Sequence, residues 1–244
     1  MRDLTAGYGD VAILEGITFD VRRGEVFVIL GGSGCGKSTL LKHLIGLLPP
    51  LKGEILIEGK NLAKAEGDER QGILKRIGVS YQSGALFGSM TLAENVRLPL
   101  EEYTALPSDA LALIAWMKLQ LVGLEDYCDS LPSEVSGGMQ KRAALARAMA
   151  LDPAVVFLDE PSAGLDPITS AELDALIKRL NKTLGMTFVI VTHELPSIYA
   201  VADRVIMLDK KTKGIIAEGR PAELRDHSEN DFVRRFFHRE AEGE

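Results

Sequence analysis

Cysteine is scarce in this 244-residue chain, and it carries neither an excess of positive charge nor a long apolar run. Cys35 lies in a Gly-rich loop and Cys128 far away in a polar stretch, so the two cysteines build no disulfide scaffold and suit a reducing compartment. Lys and Arg number 28 against 35 Asp and Glu, a net charge of −7 with no basic block to offset it, which argues against duplex nucleic acid as the main partner. The longest nearly apolar stretch, 110–124, is broken by Lys118 and Gln120 and is shorter than the ~18–20 residues a membrane span requires. Met1-Arg2-Asp3-Leu4 has none of the apolar character of a signal peptide, so the expected location is the cytosol. There is no internal repeat and no low-complexity linker. A chain of this size buries roughly 70–75% of its unfolded surface, enough for one compact domain or a core with a subdomain.

What is present alternates. β-rich runs at 17–21, 26–30, 55–58, 77–81, 154–158, 187–191 and 205–208 are separated in several places by helix-length segments, which predicts an α/β fold with a largely parallel sheet. The runs at 26–30 and 155–158 are continuously apolar, as central strands covered on both faces should be. Residues 83–151 have few β-branched runs and read as helices at 108–121 and 137–151, a helical subdomain inserted in the core. In the charged tail, Phe232, Val233, Phe236 and Phe237 recur at helical spacing, a stripe for the chain's own core or for a neighbouring subunit.

Gly31-Gly32-Ser33-Gly34-Cys35-Gly36-Lys37-Ser38 fits G-x-x-x-x-G-K-[ST] directly after a strand and before an apolar helix expected from Thr39 to residue 48. Such glycines let backbone N–H groups converge on phosphate oxygens; Lys37 would reach the β and γ oxygens and Ser38 would hold Mg²⁺. Asp159 and Glu160 close the second apolar run as adjacent carboxylates, a costly pair unless a cation or substrate uses it. Asp159 suits a Mg²⁺ shell, and Glu160, one residue further out, a general base for water. Ser136, with Gly137 and Gly138, precedes an Ala-rich helix as an N-cap that leaves the helix start bare for an anion. Taken singly, each of these also reads as ordinary structure: a Gly-rich turn, an acidic turn before Pro161, a capped helix.

Together and in this order, the set resembles the ATP-binding cassette (ABC) family, and the resemblance covers nearly the whole chain. It implies a P-loop NTPase (RecA-like) core with a mainly parallel sheet, an N-terminal antiparallel β subdomain and an inserted α-helical subdomain. The core would span 1–82 and 152–220, the helical subdomain 83–151, and a helical tail 221–244. It further implies that Tyr8 stacks on adenine, that Gln82 links Mg²⁺ and the water to the helical subdomain, and that 162–166 crosses a dimer interface. His193 would be the switch residue at the γ-phosphate, and Ser136 of one subunit would complete the ATP site of the other. Met139 stands where the family signature usually has Gln, and family members usually begin with several more strand residues. Cys35, at a helix start beside Lys37, is expected to have a lowered pKa and to block hydrolysis when alkylated.

Three stretches, 82–87, 99–107 and 132–139, are similar to the ATPases of bacterial Mla/MCE phospholipid transport systems. That similarity implies a homodimer at the cytoplasmic face of the inner membrane, bound to a permease. An MCE-domain lipid-binding protein would lie beyond it, with a small STAS-domain protein as an additional candidate. The alternative is the ATPase of an importer for amino acids or another small polar solute. A DNA-repair or ribosomal ATPase is disfavoured by the length and the negative charge.

Overall fold

The computed structural model describes residues 1–240; the last four positions of the expected tail, 241–244, lie outside the described residues. The strands are β1 (Arg2–Tyr8), β2 (Val11–Ile17), β3 (Val26–Gly31), β4 (Lys52–Glu54), β5 (Leu56–Ile57), β6 (Lys60–Asn61), β7 (Ile77–Ser80), β8 (Val155–Asp159), β9 (Phe188–Val191), β10 (Arg204–Asp209) and β11 (Gly214–Gly219). The helices are α1 (Lys37–Leu44), α2 (Gly67–Leu74), α3 (Leu92–Tyr103), α4 (Ser108–Leu121), α5 (Gly137–Ala148), α6 (Pro167–Leu184), α7 (Leu195–Val201), α8 (Pro221–His227) and α9 (Asp231–His238).

Six strands form the central sheet in the order β11-β10-β3-β9-β8-β7, parallel except for β11, which runs antiparallel to β10. Its continuous apolar runs divide between two cores by strand alternation. Val26, Val28 and Leu30 face one core with Val156, Leu158 and Ile190; Phe27 and Ile29 face the other with Phe157, Val189 and Val191. The first core is covered by α3 to α9. The second is covered by α1, α2 and the antiparallel sheet β2-β1-β4.

Several expected boundaries move. The run at 17–21 is not a strand: β2 ends at Ile17, the last residue in register with Leu4 of β1. α1 begins earlier and stops sooner than expected, because Gly46 takes a left-handed φ of 76° and the Leu47 N–H turns back to the Lys42 carbonyl. α3 escaped the sequence reading because Pro99 lies inside it; a capping box between Thr91 and Glu94 secures its start. The tail stripe turns inward, with Val233 and Phe237 buried in the first core and Phe232 and Phe236 packed against it.

Candidate active site

Four parallel neighbours, β3, β9, β8 and β7, end at one edge of the sheet, and the loops leaving them carry most of the residues singled out above. The phosphate-type loop follows β3, His193 follows β9, Asp159 ends β8 with Glu160 next after it, and Gln82 follows β7. Asp159 lies level with Val191, itself paired with Ile29, so the carboxylates stand beside the loop entrance. Ligand sites in such sheets form outside the carboxyl ends of the strands.

The loop is shaped by its glycines. Gly31, at φ 151°, is buried so tightly that a Cβ would lie 2.5 Å from the Leu208 carbonyl oxygen and 2.6 Å from the Cys35 sulfur. Gly36, at φ 102°, is the N-cap of α1 and gives that helix no side-chain cap, leaving its first N–H groups for an external acceptor. Gly32 and Gly34 have open space where a Cβ would be, and Ser33 and Ser38 are exposed. Lys37 folds back, its Nζ donating to the Gly31 and Gly32 carbonyls at 2.8 and 3.1 Å. Tyr8 stands beside α1, its hydroxyl accepting from Thr39 Oγ1 at 3.5 Å and from Lys42 Nζ at 3.2 Å, which draws its pKa down. Nearby, buried His43 of α1 accepts from the Gly7 N–H at 3.0 Å through Nε2, locking β1 onto the helix.

Cys35 does not match expectation. Its side chain points under the loop and is 3% exposed, and burial raises the thiol pKa in spite of Lys37. The loop dihedrals, rather than proximity to a helix start, set the direction of the sulfur. Iodoacetamide at pH 7.5 should therefore label Cys35 at least about tenfold more slowly in the folded protein than in the denatured chain. Peptide mass spectrometry of both states measures this, and equal rates would mean the thiol is exposed.

Glu160 sits at φ 44°, a strained backbone for a non-glycine residue of the kind that clusters at functional sites. Its Oε1 lies 2.7 Å from His193 Nδ1, and its Oε2 accepts from Thr192 Oγ1 at 3.2 Å. Asp159 beside it has a raised pKa, chiefly from burial and then from the Glu160 charge, with Lys37, Lys42 and Lys141 opposing. Because the folded carboxyl keeps its proton to higher pH than the unfolded one, the protein loses stability as pH rises from the ordinary carboxylate range through that raised value. Asp159→Asn should raise its Tm by roughly 2 °C at pH 7.5, a modest gain because solvent screens a half-buried charge. Calorimetry checks the sign, and a lower Tm would mean the carboxylate stabilises the fold.

Ser136 caps α5 by accepting from the Met139 N–H at 3.2 Å, and Gly137 is exposed. Gly138 is small for a reason within the chain: a Cβ there would meet Thr169 Cγ2 of α6 at 2.4 Å. Among the described residues, no hydrogen bond joins Ser136, Gly137 or Gly138 to 31–39. Gln82 is exposed, and its carbonyl accepts from Lys141 Nζ of α5. Sequence reading passed over Lys141, and likewise Arg147, which donates to the Gly84 and Ala85 carbonyls at 2.8 Å and so fastens α5 to the same loop. It also passed over Thr192, whose only sequence signal is adjacency to His193.

The family model for the ABC transporter matches residues 14–163. The intermembrane phospholipid transport system ATP-binding protein MlaF of Escherichia coli K12 is 42% identical over the whole chain and 89% of its own length. MlaF of Haemophilus influenzae is likewise 42% identical, over 92% of this chain and 84% of its own. A probable ribonucleotide transport ATP-binding protein, mkl, of Mycobacterium leprae is 43% identical over 97% of this chain and 67% of its own. Among solved structures, a dimeric post-hydrolysis state of the ATP-binding cassette MJ0796 with ADP and Pi is similar at TM-score 0.79 and 30% identity, over 90% of this chain and 97% of that one. With a parallel-sheet core, a Gly-rich loop at its carboxyl edge and this agreement across nearly its full length, the chain belongs to the ABC transporter family and is one of its ATP-hydrolysing cassettes.

Proposed function

We propose that two copies of this chain close head to tail around two ATP molecules and drive an inner-membrane phospholipid transporter of the Mla/MCE type from its cytoplasmic face. The Glu160–His193 pair, set beside the phosphate-type loop at the sheet edge, is the observation that carries the hydrolytic reading. The phospholipid cargo is inferred from the identity to the MlaF proteins over the full chain.

In this reading the core is 1–82 with 152–220, the helical subdomain 83–151 and the tail 221–244. The N–H groups of 31–39 cradle the phosphates, and Lys37 exchanges its two carbonyl contacts for phosphate oxygens. Tyr8 stacks on adenine. Ser136, Gly137 and Gly138 act on the partner's nucleotide, with the exposed start of α5 free to face it. Glu160 takes a proton from the attacking water as its oxygen bonds to the γ-phosphorus and the bond to ADP breaks, and His193 orients the carboxylate and the γ-phosphate.

Ser38, Gln82 and Asp159 would hold Mg²⁺ in this assignment. The donor set fits: Ser38 and Gln82 are exposed oxygen donors and Asp159 is a half-buried carboxylate, the hard oxygen ligands that Mg²⁺ takes. An ion held by so few protein oxygens suits Mg²⁺, and when bound it would supply neutralisation of the phosphate charge.

No helix among the described residues is long and apolar enough to cross a membrane, so attachment would be through a permease, with an MCE-domain protein and a small STAS-domain protein as further partners. Tagging the chain in its native host and identifying copurifying proteins and lipids by mass spectrometry tests this. A permease, an MCE-domain protein and enriched phospholipid are expected. A solute-binding protein would reassign the cargo to a small polar solute and leave the ATPase mechanism in place.

A further inference from the structure

Thr192 directly follows β9, is 1% exposed, and its side chain takes part in two hydrogen bonds of 3.2 Å. Its Oγ1 accepts from the backbone N–H of Glu194 and approaches Oε2 of Glu160. A backbone N–H only donates, so the hydroxyl must serve that bond with a lone pair and has its single proton left for the carboxylate. The donor direction is thus set by the fold. Glu194 is itself held, since its Oε2 accepts from Ser162 Oγ at 2.8 Å, and Ser162 is 1% exposed. A continuous hydrogen-bonded chain therefore runs from Ser162 through Glu194 and Thr192 to Glu160, lacing the loops after β8 and β9.

The physical need for this second contact lies in the Glu160 side chain, which has rotatable bonds and reaches beyond the strand. His193 holds only Oε1, and its own side chain is 64% exposed. One bond to an exposed ring leaves the carboxylate free to turn about that oxygen; a second bond, from a buried donor, fixes its plane and removes the entropy of that rotation before the reaction begins.

We infer that Thr192 is a positioning residue for ATP hydrolysis, its hydroxyl fixing the plane of the Glu160 carboxylate so that the base meets the attacking water in one orientation. This rests on the general-base assignment for Glu160, and the experiment separates the two. The full chain, Thr192→Val, Thr192→Ser and Glu160→Gln are compared in steady-state hydrolysis over a range of Mg·ATP, with ATP binding and Tm measured alongside. Val keeps the buried shape and removes the hydroxyl; Ser keeps the hydroxyl and removes the methyl.

Thr192→Val should lower kcat about 10- to 30-fold, the loss of one hydrogen bond to a charged group, with KM and ATP affinity within about twofold. Thr192→Ser should restore kcat to within about threefold of the parent. If Thr192→Val fails to fold, Thr192→Ala against Thr192→Ser makes the same comparison. Turnover of Thr192→Val within about twofold of the parent, in a set where Glu160→Gln is inactive, overturns the inference and leaves the base assignment standing. A Thr192→Ser enzyme as slow as Thr192→Val also overturns it, since the methyl group is then what matters. Normal turnover by Glu160→Gln removes the base assignment and this inference together.

Discussion

Glu160→Gln should lower ATP turnover by at least about 100-fold, the scale of a lost general base, and leave the protein as an ATP-bound dimer. The substitution keeps shape and volume, and the Gln amide oxygen can still accept from Thr192 Oγ1, so the fold is retained. What disappears is a carboxylate able to take a proton from water, together with the repulsion between Glu160 and Asp159. Removing that repulsion favours the closed form with its phosphate charge, so ATP accumulates where it is not cleaved. In the proposed mechanism hydrolysis ends the γ-phosphate contacts that bridge two subunits, so without it the bridge should persist. Light scattering of the variant with its membrane partner in saturating Mg·ATP, against the parent, measures this. A monomeric variant that binds ATP normally would contradict the dimer mechanism.

Gly31→Ala should destabilise the protein by about 3 kcal/mol, or roughly 6–12 °C in Tm, and abolish ATP binding. A Cβ at this position would enter the space of the Leu208 carbonyl oxygen at 2.5 Å, which belongs to the neighbouring strand and cannot swing aside as a side chain would. The backbone also sits at φ 151°, a region that disfavours L side chains. Relief requires β3 and β10 to separate where they pair at Gly31 and Leu208, which moves the entire loop. Gly32→Ala is the control, because its Cβ meets nothing within the chain. It should keep the parental Tm and lose affinity only through contact with the nucleotide. Melting curves and ATP titrations of both variants test the pair, and equal Tm losses would show that neither contact with β10 nor the left-handed φ of Gly31 sets the cost.

How much could be read in advance depended on the range of the interactions. The strands at 26–30 and 155–158 were legible because a parallel strand covered on both faces must be apolar at consecutive positions. The loop from Gly31 to Ser38 was legible because its function depends on local backbone shape, which glycine spacing encodes. Asp159 and Glu160 stood out as an expensive pair of charges at the end of an apolar run. By contrast, α3 was hidden by Pro99, and the strand at 17–21 was misplaced because its true extent is set by pairing with β1. Cys35 was read from its neighbours in sequence, whereas its side chain answers to φ angles and burial that carry it beneath the loop.

The sequence by itself determined the class of fold, the phosphate-type loop and the residue types available for hydrolysis, since periodicity, glycine spacing and charge placement act over a few neighbouring residues. Only the tertiary structure decided which of these residues meet. Glu160 and His193 are 33 residues apart and touch because β8 and β9 are parallel neighbours in the sheet. Gly138 is constrained by Thr169 across a helix contact, and Lys141 reaches the carbonyl of Gln82 from 59 residues away. Hydrogen-bond direction, burial and steric exclusion arise from groups brought together by packing, and no local pattern carries them.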